Sequence, residues 1–190
     1  MRVLRGIVIG AGVVLALVVQ VSLLPHVAWR GIVPDLGLLV VVAAGLARDE
    51  RFAMVVGFGT GLLLDLAPPA DHVAGRWTLA LVLVGYVAGL ARQEAPPTRP
   101  ALAAMLTVFS VVGSSVFALT GLVLGDLGTG TAQAFAVVLV AAVVDVLVGL
   151  LISLGAMIGG FVASGGNIGV IWEPFEFIMI IGIAVGIFVV

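Results

Sequence analysis

Along this chain, long apolar runs alternate with short polar interruptions. Inside a run every position is apolar, as in Val13-Val14-Leu15-Ala16-Leu17-Val18-Val19. Neither the two-residue period of a half-buried strand nor the single stripe of a surface helix is present. The pattern predicts helices with apolar surroundings on all sides. The first run covers residues 7–24, after Arg2 and Arg5. A secretory signal has an apolar core of about 7–15 residues and a small-residue cleavage site. This run is longer and meets Pro25-His26, so it predicts an uncleaved spanning helix.

Five further runs follow. The second, 32–47, is interrupted early by Pro34-Asp35 and ends at the charged knot Arg48-Asp49-Glu50-Arg51. The third, 52–64, ends at Asp65 and the turn Ala67-Pro68-Pro69-Ala70-Asp71. The fourth is 77–91, with a polar, proline-rich loop at 92–100. The fifth is 101–124, and the glycine-rich turn Gly125-Asp126-Leu127-Gly128-Thr129-Gly130 leads to a sixth from about Ala132. Runs two to four are shorter than the roughly 20 residues of a straight span. They must borrow flanking residues, thin the bilayer or be shielded by neighbours. From Ala132 to Ala163 the only turn signals are glycines and Ser153. One helix of that length would exceed the hydrocarbon core of about 30 Å, so a break is expected near Ser153 or Gly159-Gly160. A loop at 164–176 and a last run at 177–190 complete a C-terminal hairpin. That run has no polar flank, which points to truncation or a composite gene product.

Composition sharpens this picture. Of the 190 residues, 63% are hydrophobic and 9% charged, against about 45–50% and 25% in soluble domains. A soluble fold of this size cannot hide so much apolar surface. The alternation of an outer-membrane barrel is missing. The predicted fold is therefore all-α: a polytopic helical membrane protein, with a six-span bundle at 1–150 and a hairpin at 151–190. The basic residues are all arginines. With the N-terminus cytoplasmic, the inner segments hold Arg2, Arg5, Arg48, Arg51, Arg92 and Arg99, and the outer ones Arg30 and Arg76, a clear positive-inside bias. The net charge of −2 gives no case for nucleic acid as a partner. Membrane lipid is the expected surrounding.

Little in the sequence is suited to catalysis. There is no cysteine and no lysine, hence no thiolate nucleophile and no phosphate loop with its lysine. His26 and His72 fall in predicted outer loops, away from Ser114-Ser115, and no His-Glu-x-x-His helix occurs. No metal site, cofactor or enzymatic activity is expected. The ionisable groups near the membrane carry more weight. Asp35 and Asp65 stand at run ends, where they mark either the outer interface or a polar rim that binds a partner helix. Asp145 lies midway in its run; ionised there it would cost about 2.5–3.5 kcal/mol on insertion scales. Protonation, or hydrogen bonding to Gln20, Ser114 or Ser115, is the expected remedy. Glycines four apart, including Gly57/Gly61 and Gly85/Gly89, occur seven times, about twice the chance number, and allow close helix approach. Gly85/Gly89 beside Tyr86 is the preferred partner-facing pair. Trp29, Trp77 and Trp172 stand at run ends, as an interfacial aromatic belt would.

Three segments carry a family resemblance. These are Pro34-Asp35-Leu36-Gly37-Leu38-Leu39-Val40, Gly57-Phe58-Gly59-Thr60-Gly61-Leu62-Leu63-Leu64-Asp65-Leu66 and Leu83-Val84-Gly85-Tyr86-Val87-Ala88-Gly89-Leu90. In this order and spacing they resemble the rod shape-determining protein MreD family, over about residues 1–150. Leu151-Ile152-Ser153-Leu154-Gly155-Ala156-Met157-Ile158-Gly159-Gly160-Phe161, with Gly165-Gly166-Asn167-Ile168-Gly169 and Glu173-Pro174-Phe175-Glu176-Phe177, is similar to the first spans of the flagellar stator protein MotA. The first resemblance implies a non-catalytic inner-membrane subunit of the bacterial cell-elongation machinery. Its implied partners are an MreC-like membrane protein and, through it, MreB, RodA and a class B penicillin-binding protein. It places the family's recurrent Pro-Asp and Asp-Leu elements on Pro34-Asp35 and Asp65-Leu66. Two alternatives remain: a six-span vitamin-type binding subunit of a transporter, or a fragment of a proton-driven stator.

Overall fold

In the computed structural model, the described residues are 2–27, 33–68, 72–95, 97–125 and 131–166. The first six apolar runs of the sequence each appear in it as a helix. These are α1 (Arg2–Val18), α2 (Leu36–Ala47), α3 (Glu50–Leu66), α4 (Arg76–Leu90), α5 (Arg99–Val123) and α6 (Thr131–Ala163). After α1 the chain widens into a π-helical turn, Val19–Leu23, and then tightens into a 3-10 turn, Leu24–Val27. By internal packing the chain divides into two units, Met1–Leu150 and Leu151–Val190.

The first unit is a helix bundle whose central element is α4. It packs most extensively on α3 and also on α2 and α5. Its core is formed by Leu38, Val41 and Val42 of α2, Leu81, Val84 and Ala88 of α4, and Leu106 and Phe109 of α5. Glycines set the α3–α4 distance. A Cβ on Gly57 would collide with the carbonyl of Leu81, and one on Gly61 with the backbone of Thr78. From the other side, a Cβ on Gly85 would stand 2.6 Å from the Ala53 carbonyl oxygen, and one on Gly89 would strike Glu50. Two backbones this close gain dispersion contact along their whole length, the main source of helix association where the solvent is apolar.

Polarity is distributed inside-out. Val14, Leu15, Val55, Phe58, Leu66, Val108 and Leu119 are more than half exposed, while Gln20, Asp35, Thr60, Asp65, Arg76, Ser110 and Asp145 are buried. Among the described residues, two helices are long and apolar enough to cross a bilayer, Arg99–Val123 and Phe135–Ala163. The other apolar helices are shorter, α2 having 12 residues and α4 15.

Of the second unit the described part is the last portion of α6 and its end. The break expected near Ser153 or Gly159-Gly160 is absent, and α6 runs for 33 residues. Glycine lowers helix propensity by only about 1 kcal/mol, too little to interrupt a long run of good helix formers. The helix stops where Gly165 takes φ 89°. Gly166 N–H donates to the Phe161 carbonyl at 2.9 Å and Gly165 N–H to that of Val162 at 2.9 Å, the pairing of a Schellman end. The second helix of the expected hairpin, with Trp172, lies outside the described residues, as do Trp29 and the turn at 126–130.

Candidate functional site

Two polar clusters occupy the first unit, and each begins as a helix-capping problem. The first N–H groups of a helix have no partner within it. At α2, Asp35 is the N-cap residue: its Oδ1 accepts from Leu38 N–H at 2.9 Å. Gly37 N–H donates to Gln20 Oε1 at 2.8 Å, so a side chain from the π-turn finishes the cap. Gln20 Nε2 also donates to Asp35 Oδ1, at 3.3 Å. Single π-helical turns are frequent at functional sites, and here Gln20 lies in one and is buried.

Asp145 of α6 joins this cluster from the opposite side. Its Oδ1 accepts from Asp35 N–H at 2.7 Å, and its Oδ2 from Ser110 Oγ at 2.5 Å. Thus the first helix region, α2, α5 and α6 meet at one buried point. Among the described residues no basic side chain pairs with Asp35 or Asp145. Asp145 is 1% exposed, and its partners are a backbone amide and a hydroxyl. The serine that meets it is Ser110, not Ser114 or Ser115, and Gln20 reaches Asp35 rather than Asp145.

The second cluster caps α4. Its N-cap residue, Gly75, sits at φ 99° and has no side chain to offer. Asp65, in the last turn of α3, supplies the cap from the neighbouring helix. Its Oδ1 accepts from Trp77 N–H at 3.0 Å, and its Oδ2 from Thr78 N–H at 3.0 Å and Thr78 Oγ1 at 2.6 Å. His72 Nε2 lies 3.2 Å from Oδ1. The N-terminal dipole of α4 adds to the attraction for a carboxylate.

Beside it, Arg76 donates to the Phe117 carbonyl of α5 through one terminal nitrogen at 2.8 Å and through Nε at 3.3 Å. Its guanidinium also lies over the Phe117 ring, 3.9 Å from the centroid. Trp77 stacks on the same ring at 4.3 Å, and His72 meets its edge at 5.4 Å. Sequence reasoning gave Arg76 only an orienting charge and did not single out Phe117. No spacing in the sequence pairs them, since α4 and α5 meet through tertiary packing.

The structure thus brings Asp35 and Asp145 together and keeps Asp65 apart. Both Asp35 and Asp65 are buried caps rather than an exposed rim. Pro34 precedes the first cap and is half-buried. Gly57, Gly61, Gly85 and Gly89 are consumed by the α3–α4 contact. The expectation of Gly85/Gly89 as a partner face is corrected accordingly, because that face is covered from within the chain. Tyr86 points away from it and is 42% exposed. A pocket of about 430 Å³ is bounded by Ala43, Leu46, Arg92, Glu94 and Met105, and another of about 350 Å³ lies between α1 and α3. Neither is lined by Asp35, Trp77 or Tyr86.

Comparison with known proteins places this arrangement. No curated protein and no solved structure matches the chain. The family described as Motility protein A N-terminal matches residues 147–190. The family rod shape-determining protein MreD matches residues 1–127, which include α1 to α5 and both caps. With two thirds of its length covered by that family, the chain belongs to the rod shape-determining protein MreD family.

Proposed function

We propose that this chain is a non-catalytic, multi-pass subunit of the cell-elongation machinery in the bacterial inner membrane. It crosses the bilayer six times within residues 1–150, with its N-terminus in the cytoplasm. It works by helix packing against an MreC-like membrane protein, and through it serves MreB, RodA and a class B penicillin-binding protein. The MreD match over residues 1–127 is the observation that carries this reading. The apolar exterior and polar interior support it physically. At 1.5 Å per residue, α2 and α4 are about 18 and 22 Å long, less than a hydrocarbon core of about 30 Å. In a bilayer their N-termini would lie below the surface, where every amide needs a protein partner. Gln20 with Asp35, and Asp65, provide those partners.

Residues 151–190 are an appended MotA-like segment on this reading, supported by the match at 147–190 and by the unit boundary after Leu150. Complementation tests both statements. In a rod-shaped bacterium lacking its own MreD, residues 1–150 and the full chain are expressed separately. Restoration of rod shape by residues 1–150 is expected, and failure of both forms contradicts the assignment.

A further inference from the structure

At the end of the bundle where α2 and α4 finish, the pocket of about 430 Å³ has two unlike walls. The helices supply an apolar one through Ala43, Leu46 and Met105, and the loop after α4 supplies a polar one through Arg92, Gln93 and Glu94. Leu46 and Ala47 are the last residues of α2, Ala91 is the C-cap of α4, and all three line the cavity. The last carbonyls of a helix have no donor within it, and they form the negative end of its dipole. Two such ends on one cavity favour a cation with N–H groups to donate. Arg92 and Glu94 stand two positions apart with opposite charge, yet neither forms an ion pair among the described residues. Arg48, which follows α2, is engaged elsewhere, its guanidinium 4.9 Å from the centre of the Phe52 ring of α3. The pocket therefore offers a cation, an anion and two carbonyl ends beside an apolar wall.

We propose that this pocket seats the head of a zwitterionic aminophospholipid. The phosphate lies on Arg92, the ammonium between Glu94 and the carbonyl ends of α2 and α4, and the first part of the acyl chains along Ala43, Leu46 and Met105. The inference rests on the membrane reading above and adds a ligand to it. An arginine fork suits a phosphate. A phospholipid without an amine would set its phosphate near Glu94 with no cation between them. A soluble zwitterion has nothing for the apolar wall. In the proposed topology the pocket stands at the cytoplasmic surface of the bilayer. There a lipid changes from head to chain in the same direction as the pocket changes from loop to helix.

The full chain, purified in detergent, is titrated with lipids of identical acyl chains, and bound lipid is counted by native mass spectrometry. Phosphatidylethanolamine is expected to bind most tightly. Phosphatidylcholine, whose methylated amine donates no hydrogen bond, and phosphatidylglycerol, which has no amine, bind about threefold more weakly. Arg92→Ala lowers the affinity for all three about fivefold. Glu94→Gln lowers that for phosphatidylethanolamine alone, about threefold, to the level of phosphatidylcholine. Ala43→Trp fills the apolar wall and abolishes the preference with both charges in place. Ala43, Arg92 and Glu94 are exposed, so the lipid-free variants keep the melting temperature of the parent. Should Ala43→Trp fail to accumulate, Ala47→Trp fills the same space from the next turn. Phosphoethanolamine, the head without its chains, tests for a soluble ligand and is expected not to displace the lipid. Equal affinity for the three lipids, a preference for phosphatidylglycerol, binding indifferent to Arg92→Ala, a preference that survives Glu94→Gln or the tryptophan, or displacement by phosphoethanolamine would each overturn the proposal. Rod shape restored by a chain with no lipid preference would remove the site and spare the scaffold reading. The preference without restoration would do the reverse.

Discussion

Replacing Asp65 by alanine is the sharpest test of the capping account. The side chain is fully buried and receives Trp77 N–H, Thr78 N–H and Thr78 Oγ1, with His72 Nε2 at its edge. Alanine leaves the first three donors without an acceptor. Each orphaned donor costs about 1–3 kcal/mol. Trp77 and Thr78 are half-buried, so the low end applies, and three donors total about 3 kcal/mol. Loss of the carboxylate from the N-terminus of α4 adds roughly 0.5 kcal/mol. Gly75 cannot compensate, having no side chain. Asp65→Asn keeps one carbonyl acceptor but turns an amide toward the remaining donors, so about half the loss is expected. Stability is measured by steric trapping or by SDS titration of the protein in mixed micelles. The expected order is wild type, then Asp65→Asn, then Asp65→Ala, with the last about 3–4 kcal/mol down. A value for Asp65→Ala within 0.5 kcal/mol of wild type would refute the reasoning, whatever Asp65→Asn does.

Three further outcomes follow from the same geometry. Asp145→Ala should destabilise by about 2–4 kcal/mol by orphaning Asp35 N–H and Ser110 Oγ, and Asp145→Asn by less. In a double-mutant cycle with Ser110→Ala the two losses should fall short of additive, and strict additivity would deny the contact. Phe117→Leu removes the ring that Arg76, Trp77 and His72 share, and a loss of about 1–2 kcal/mol is expected in the same assay. Gly57→Leu should prevent accumulation of folded protein in the membrane by forcing α3 off α4, whereas Gly59→Leu, two residues away, should accumulate normally. Equal accumulation of the two, read by fluorescence-detected size exclusion, would contradict the assigned packing.

The sequence disclosed the elements far better than the faces they present. The runs 52–64 and 77–91 fall almost wholly within α3, Glu50–Leu66, and α4, Arg76–Leu90, because proline, glycine and charge clusters end helices for local reasons. Faces are harder to read here. Helices apolar all round have no hydrophobic stripe to mark their orientation, so Gly85/Gly89 read equally well as an outer or an inner contact. Asp145 shows the same limit. Ser110 and Ser114 lie one turn apart on the same side of α5, so composition pointed to the correct face at the wrong depth. Arg76 and Phe117 were invisible as a pair, because forty-one positions separate them. α6 continues through Ser153 because local helix propensity, and not bilayer thickness, decides where a helix ends.

On the proposed function, lipid surrounds a bundle that crosses the bilayer six times, and its polar groups face inward to cap its short helices. Single cysteines introduced into this cysteine-free chain test it most directly, using a membrane-impermeant thiol reagent on intact and on opened cells. Cysteines at Val73 and Gly125 should label in intact cells, those at Asp49 and Gln93 only after opening, and one at Val55 in neither case. Labelling of Val73 and Gln93 from the same side, or ready aqueous labelling at Val55, would contradict it.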